Sequence, residues 1–223
     1  MLTDRPPRNP TLLAQFLESD RLASMELPAQ GDLRRIAVSL DESLKQGNRA
    51  AIQQTCTDFL DVASDFYKVE RPNVKILAAR PLRVRENTTV ELFGDYHLDT
   101  MIIRVWTRTA VRKRTTTFGT FLSTLCHEFC HHLDGRKLGF RRSPHTRGFY
   151  QRAALLYHHA RATPVKSLPW IRVPGNRWRI NWQRMRAVSA TRQLPRAALH
   201  EARMSGQVRA PDEALRGPLD GAA

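Results

Sequence analysis

Over the first seventy residues, apolar side chains return every three or four positions, and the clearest of these runs stops at a glycine. Leu12, Leu13, Phe16 and Leu17 predict a short helix within 11–23, behind an arm (1–10) without periodicity that is expected to be mobile. Leu33, Ile36, Ala37, Leu40 and Leu44 predict a second helix over 32–46, ended by Gly47. Asn48 is placed to cap a third, whose stripe is Ile52, Cys56, Phe59, Ala63 and Phe66. From Arg71 the period shortens and β-branched residues accumulate. Segments 74–80, 88–94 and 100–106 predict three strands, the last two paired through a turn at 94–99. The helical period returns at 118–135, with Phe118, Phe121, Leu122, Leu125, Cys126, Phe129, Cys130 and Leu133 in one broad stripe. Thr115, Thr116 and Thr117 offer capping hydroxyls before it and Gly135 a stop after it. A last helix is expected from about His145 to Arg161, with Phe149, Ala153, Leu156, Tyr157 and Ala160 facing inward.

This order predicts an α+β class: packing helices, a small and mostly antiparallel sheet, then two further helices. Three segments follow: an N-terminal helical segment (1–70), a core (71–162) and a tail (163–223), the end of which, from Ser205, is expected to be disordered.

The helix at 118–135 contains His127-Glu128-Phe129-Cys130-His131, an H-E-x-x-H pattern. At about 100° per residue, the two histidines lie about 40° apart on the side away from the apolar stripe, with Glu128 beside them. Zinc takes neutral imidazole nitrogens at about 2.0–2.1 Å, and an i, i+4 pair brings two to one ion. A catalytic site of this type leaves a position for water, and an adjacent carboxylate can take its proton.

A third ligand is needed. No glutamate lies between His131 and His200, and beyond the motif only Glu201 and Glu213 remain, so a carboxylate third ligand is disfavoured. Asp134 shares the helix and suits support of the site, and Asp134 and Lys137 occupy the positions where the longer H-E-x-x-H-x-x-G-x-x-H motif needs glycine and histidine. His145, at the start of the last helix, is the leading candidate, with His158 and His159 as rivals. His97, in the expected turn, reads as a surface residue.

Charge adds a second theme. The net charge of +15 and pI near 10.9 imply attraction to polyanions. Arg108, Arg112, Lys113 and Arg114 cluster before the motif helix as candidate contacts for acidic substrate or nucleic acid. From Arg161 onward, twelve Lys/Arg stand against four Asp/Glu, and Trp170, Trp178 and Trp182 lie among Arg172, Arg177, Arg179, Arg184 and Arg186. Such interleaving suits stacking on unpaired bases, or else packing of the tryptophans back onto the domain. Cys56, Cys126 and Cys130 form no disulfide framework, and no apolar run reaches membrane-spanning length, which favours a cytoplasmic protein.

HEFCHH (127–132) followed by HTRGFY (145–150) resembles the zinc-peptidase domain of SprT-like and Wss-type metalloproteases, over about the middle third of the chain. The sequence departs from that group at Thr146, where glycine is usual, and in having no cysteine-rich zinc ribbon afterwards. The resemblance implies a zincin-like fold, Zn2+ held by His127, His131 and His145, and Glu128 as catalytic acid/base. Arg147, Tyr150, His158 and His159 are then candidates to stabilise an oxyanion, and the strand at 101–106 a candidate to align an extended substrate. The competing reading is a nucleic-acid or other polyanion-binding protein whose zinc site is structural or vestigial.

Overall fold

A computed structural model of the chain describes residues 1–85, 88–140 and 142–185. Arg186 and the stretch from Ser205, to which the sequence reading assigned nucleic-acid contact and disorder, lie outside the described residues.

Helix α1 (Pro10–Arg21) starts where Asn9 accepts a hydrogen bond from Leu12 N–H and proline takes the first turn. Phe16 is buried, whereas Leu17 is exposed, so the α1 stripe is narrower than expected. Helix α2 (Gln30–Gln46) buries Leu33, Ala37, Leu40 and Leu44 and ends at Gly47, whose φ of 67° is the left-handed conformation of a C-cap. Helix α3 (Arg49–Tyr67), capped by Asn48, packs against α2 and buries Ile52, Cys56, Phe59 and Ala63. At its end Tyr67 turns inward and Phe66 outward, reversing the expected choice, because Tyr67 OH finds the carbonyl of Glu26 at 2.6 Å.

Five strands follow where three were expected. They are β1 (Asn73–Ala79), β2 (Leu82–Arg85), β3 (Thr88–Glu91), β4 (Gly94–His97) and β5 (Ile102–Arg108). Among the described residues, β2 and β3 pair with each other and with no other strand. The other three form a sheet in the order β1-β5-β4, with β1 parallel and β4 antiparallel to β5. The sheet is therefore mixed rather than mostly antiparallel: the long excursion from β1 to β5 supplies the crossover that a parallel pairing requires. The segment expected to be a turn contains β4, an edge strand. β5 is the central strand, so both sides of its backbone are occupied and it cannot align a substrate by main-chain pairing.

Helix α4 (Phe118–Arg136) carries the H-E-x-x-H pattern. It packs against α2, α3, α5, β4 and β5, and its buried residues include not only the apolar stripe but also Thr124, Glu128, His132 and Asp134. An apolar face opposite an open polar face is thus not what forms; the helix is enclosed nearly all round. Thr117 caps its start, as expected. Gly135 does not stop it. That glycine lies inside the last turn, where a side chain would collide with Leu98. Helix α5 (Arg147–Ala160) is capped by the fully buried Thr146 and buries Phe149, Ala153, Leu156 and Ala160. Thr146, the departure from the usual glycine, accepts the Phe149 N–H at 3.0 Å.

Two short strands, β6 (Trp170–Val173) and β7 (Arg177–Ile180), occupy the segment that lacked periodicity. Residues 1–167 with 172–179 form one compact unit, and among the described residues 168–171 and 180–185 belong to a second. Within the first unit the N-terminal arm is fixed rather than mobile. Thr3 N–H donates to the Trp178 carbonyl and Trp178 N–H to the Thr3 hydroxyl, both at 2.8 Å, and Leu2 bridges Arg179. Trp178 lies under the Arg147 guanidinium, 4.5 Å from the ring centre. Among the described residues, no helix is long and apolar enough to cross a membrane.

At Gly148, helix α5 lies in close contact with the end of α1. A Cβ there would collide with the carbonyl oxygen of Ser19 and come within 2.9 Å of that of Asp20. Main chain cannot step aside cheaply, so Gly148→Ala is expected to cost about 3 kcal/mol of stability, read from the urea midpoint. An unchanged midpoint would contradict this packing.

Candidate metal centre

Helix α4 carries His127 and His131 one turn apart, and the segment leading into α5 carries His145 back to them. Their Nε2 atoms form a nearly equilateral triangle: 3.1 Å from His127 to His145, 3.2 Å from His131 to His127 and 3.2 Å from His131 to His145. Phe149 packs against all three rings, with centroids 4.9, 4.4 and 5.3 Å away. Among the described residues these three histidines are the group able to hold a metal ion.

The protonation of His131 follows from its neighbours. Asp134, fully buried, accepts from Arg152 Nη2 at 2.7 Å and from the Ser143 hydroxyl at 3.0 Å. The serine proton is therefore committed to Asp134, and the contact of 2.6 Å between Ser143 Oγ and His131 Nδ1 requires the imidazole to donate. Nε2 of His131 then bears a lone pair and points at its two neighbours. His145 is held differently. Its backbone N–H donates to Asp4 Oδ2 at 2.9 Å, the Asp4 N–H donates to its carbonyl at 2.8 Å, and its Nδ1 lies 3.4 Å from the same carboxylate oxygen.

Nε2 lone pairs converging at this distance repel unless a proton or a cation lies between them. Nitrogens each about 2.0–2.1 Å from a tetrahedral ion stand about 3.3 Å apart, close to the separations found, so the residues fit a metal. Burial drives the His127 pKa down to about 3, helped by His145, and that of His131 well below its ordinary value. Both are neutral at physiological pH, as metal coordination would require. For Asp4, burial works against ionisation, but its contacts with His145 prevail and lower its pKa.

Glu128 is buried, and burial, with Asp95 adding to it, raises its pKa to about 8. Its carboxylate faces β4: a Cβ on Gly94 would lie 2.9 Å from Oε1 and closer still to Thr124. Only glycine lets the edge strand approach the helix so closely at this point.

The other predicted residues do not join the triangle. His97 Nε2 lies 2.7 Å from an Arg104 nitrogen on the exposed side of the sheet. His158 bonds through Nδ1 to Thr163 at 2.8 Å, and His159 is half-buried with its Nε2 unpartnered. Tyr150 stacks on His145 with centroids 5.6 Å apart, but its hydroxyl donates to the Leu2 carbonyl at 3.0 Å. Arg147 forms an ion pair with Asp20. Arg108, Arg112, Lys113 and Arg114 are exposed between β5 and α4, where Arg114 N–H closes a turn on the Thr109 hydroxyl. Asp4 and Ser143 were missed by sequence reasoning. Both are unremarkable polar residues whose roles depend on contacts at long range or across a loop. Comparison with family models, with curated proteins and with solved structures found no match for the chain.

The raised pKa of Glu128 has a consequence for the metal-free protein. An unfolded glutamate loses its proton near 4.5, the folded one near 8, so the unfolded state binds fewer protons in between and stability falls as pH rises through that window. Glu128→Gln should therefore stabilise the chelator-treated protein on the order of 1–2 kcal/mol at pH 8 and little at pH 4.5. An equal effect at both pH values, measured by urea unfolding, would contradict the buried, neutral carboxyl.

Proposed function

We propose that the chain is a zincin-like, zinc-dependent metallopeptidase, with His127, His131 and His145 as ligands and Glu128 as the proton carrier. The observation that carries this reading is the triangle of Nε2 atoms, 3.1–3.2 Å on each side, with Glu128 buried next to its first member. Three protein ligands leave a fourth tetrahedral position, the arrangement of catalytic rather than structural zinc. The sequence resemblance to SprT-like peptidases supports the same assignment.

Zinc held there would supply Lewis-acid charge and a water that is nucleophilic near neutral pH. The chain's residues supply the rest. Beside a dication, Glu128 is an anion at neutral pH, because an opposite charge favours the ionised form. Its carboxylate takes the proton of the attacking water and returns it to the departing amine. The substrate would lie along β4, whose outer edge pairs with no other strand among the described residues, as an added extended strand. Gly94 lets that strand lie against Glu128, so a peptide carbonyl would be presented beside the proton carrier.

Purified protein is expected to hold about one zinc per chain. His127→Ala and His131→Ala should abolish retention, and His145→Ala should weaken it severely. Glu128→Gln should keep the zinc and lose at least about a hundredfold in peptide hydrolysis, measured on a broad peptide library. Full activity in Glu128→Gln would place the base elsewhere, and zinc without any hydrolysis in the wild type would favour a structural site.

A further inference from the structure

The three ligands differ in how they are held, and the difference points to the N-terminal arm. His127 and His131 are fixed by α4 itself, and His131 is further oriented by Ser143 and Asp134. His145 precedes α5 and belongs to no element, so helix geometry does not set its direction. What holds it comes from the other end of the chain. Asp4 exchanges two backbone-level hydrogen bonds with it, through Asp4 N–H and through His145 N–H to Oδ2. The arm that carries Asp4 is itself pinned: Thr3 is buried and bonded twice to Trp178, and the Leu2 carbonyl accepts from Tyr150.

We propose that Asp4 is a positioning residue for the metal centre, the partner that makes His145 its third ligand. This rests on reading the histidine triangle as a metal site. Asp4 Oδ2 has two effects on His145. As acceptor for the backbone N–H it fixes where the residue sits. At 3.4 Å from Nδ1 the contact is longer than a full hydrogen bond, yet a carboxylate there favours the proton on Nδ1 and leaves the Nε2 lone pair facing the other two imidazoles. It also makes the ring a stronger donor to a cation. Asp134, acting through Ser143, does the same for His131. Two of the three ligands are thus backed by a carboxylate, one from α4 and one from a segment more than a hundred residues distant in sequence. Metal affinity and docking of residues 1–5 are then linked: whatever loosens the arm loosens the metal, and bound metal tightens the arm.

Competition against a chromophoric zinc chelator, using the full chain, tests this. Asp4→Ala should weaken zinc binding about 10- to 100-fold, the range usual for loss of a ligand's hydrogen-bonding partner. Asp4→Asn keeps an acceptor for the His145 N–H but not the charge. It should lie between the two and shift the visible absorption of the cobalt-loaded protein, with the unfolding temperature of the metal-free protein unchanged. Wild-type affinity in both variants would overturn the role of Asp4 while leaving the metal site standing. Failure of the wild type to bind zinc or cobalt would instead overturn the site and this inference with it. Should Asp4→Ala not fold, Asp4→Asn decides: wild-type affinity and an unshifted cobalt spectrum would remove Asp4 from the centre.

Discussion

One buried ion pair ties the fold to its site. Arg152 of α5 is among the largest fully buried side chains, and its guanidinium donates to the carbonyls of Ser19 and Leu22 at the end of α1 and to Asp134 of α4. Removing one member of such a pair strands a charge in the interior and typically costs about 3–5 kcal/mol. The pair also reaches outward. Burial raises the Asp134 pKa against the pull of Arg152, but paired with that guanidinium the carboxylate accepts from Ser143, His131 donates to Ser143, and a lone pair is left pointing into the triangle. Packing of three helices and the tautomer of His131 therefore meet at one contact.

The site needs an interior that is expensive to build. Imidazoles stay neutral and Glu128 is driven toward its neutral form because water is largely excluded from α4. A cation held there, as proposed, would accept the lone pairs and favour the charged form of Glu128. The same enclosure explains Gly94: its backbone comes within contact of the Glu128 carboxyl, where any side chain would intrude.

Much of this is legible in the sequence. The stripes of α2, α3, α4 and α5, the caps at Asn48 and Thr117, and the spacing of His127, Glu128 and His131 are local patterns, and local physics sets them. Elimination of carboxylates reaches His145. What the sequence hides is tertiary. β4 was expected to be a turn because Gly94-Asp95-Tyr96-His97 lacks β-branched residues; pairing with β5 overrides that propensity. The arm carries no period, yet Thr3 and Asp4 are bound by Trp178 and His145. The sequence assigns His132 no role and Asp134 a supporting one, and does not show that both lie fully buried with partners on the loop after α3, β4 and α5.

The central claim is that the triangle coordinates one catalytic-type zinc, and X-ray absorption at the zinc edge tests it most directly. The expected spectrum has three imidazole nitrogens and one further light atom at about 2.0–2.1 Å. A sulfur shell at about 2.3 Å, a fourth imidazole, or the signature of hydrated zinc alone would contradict it.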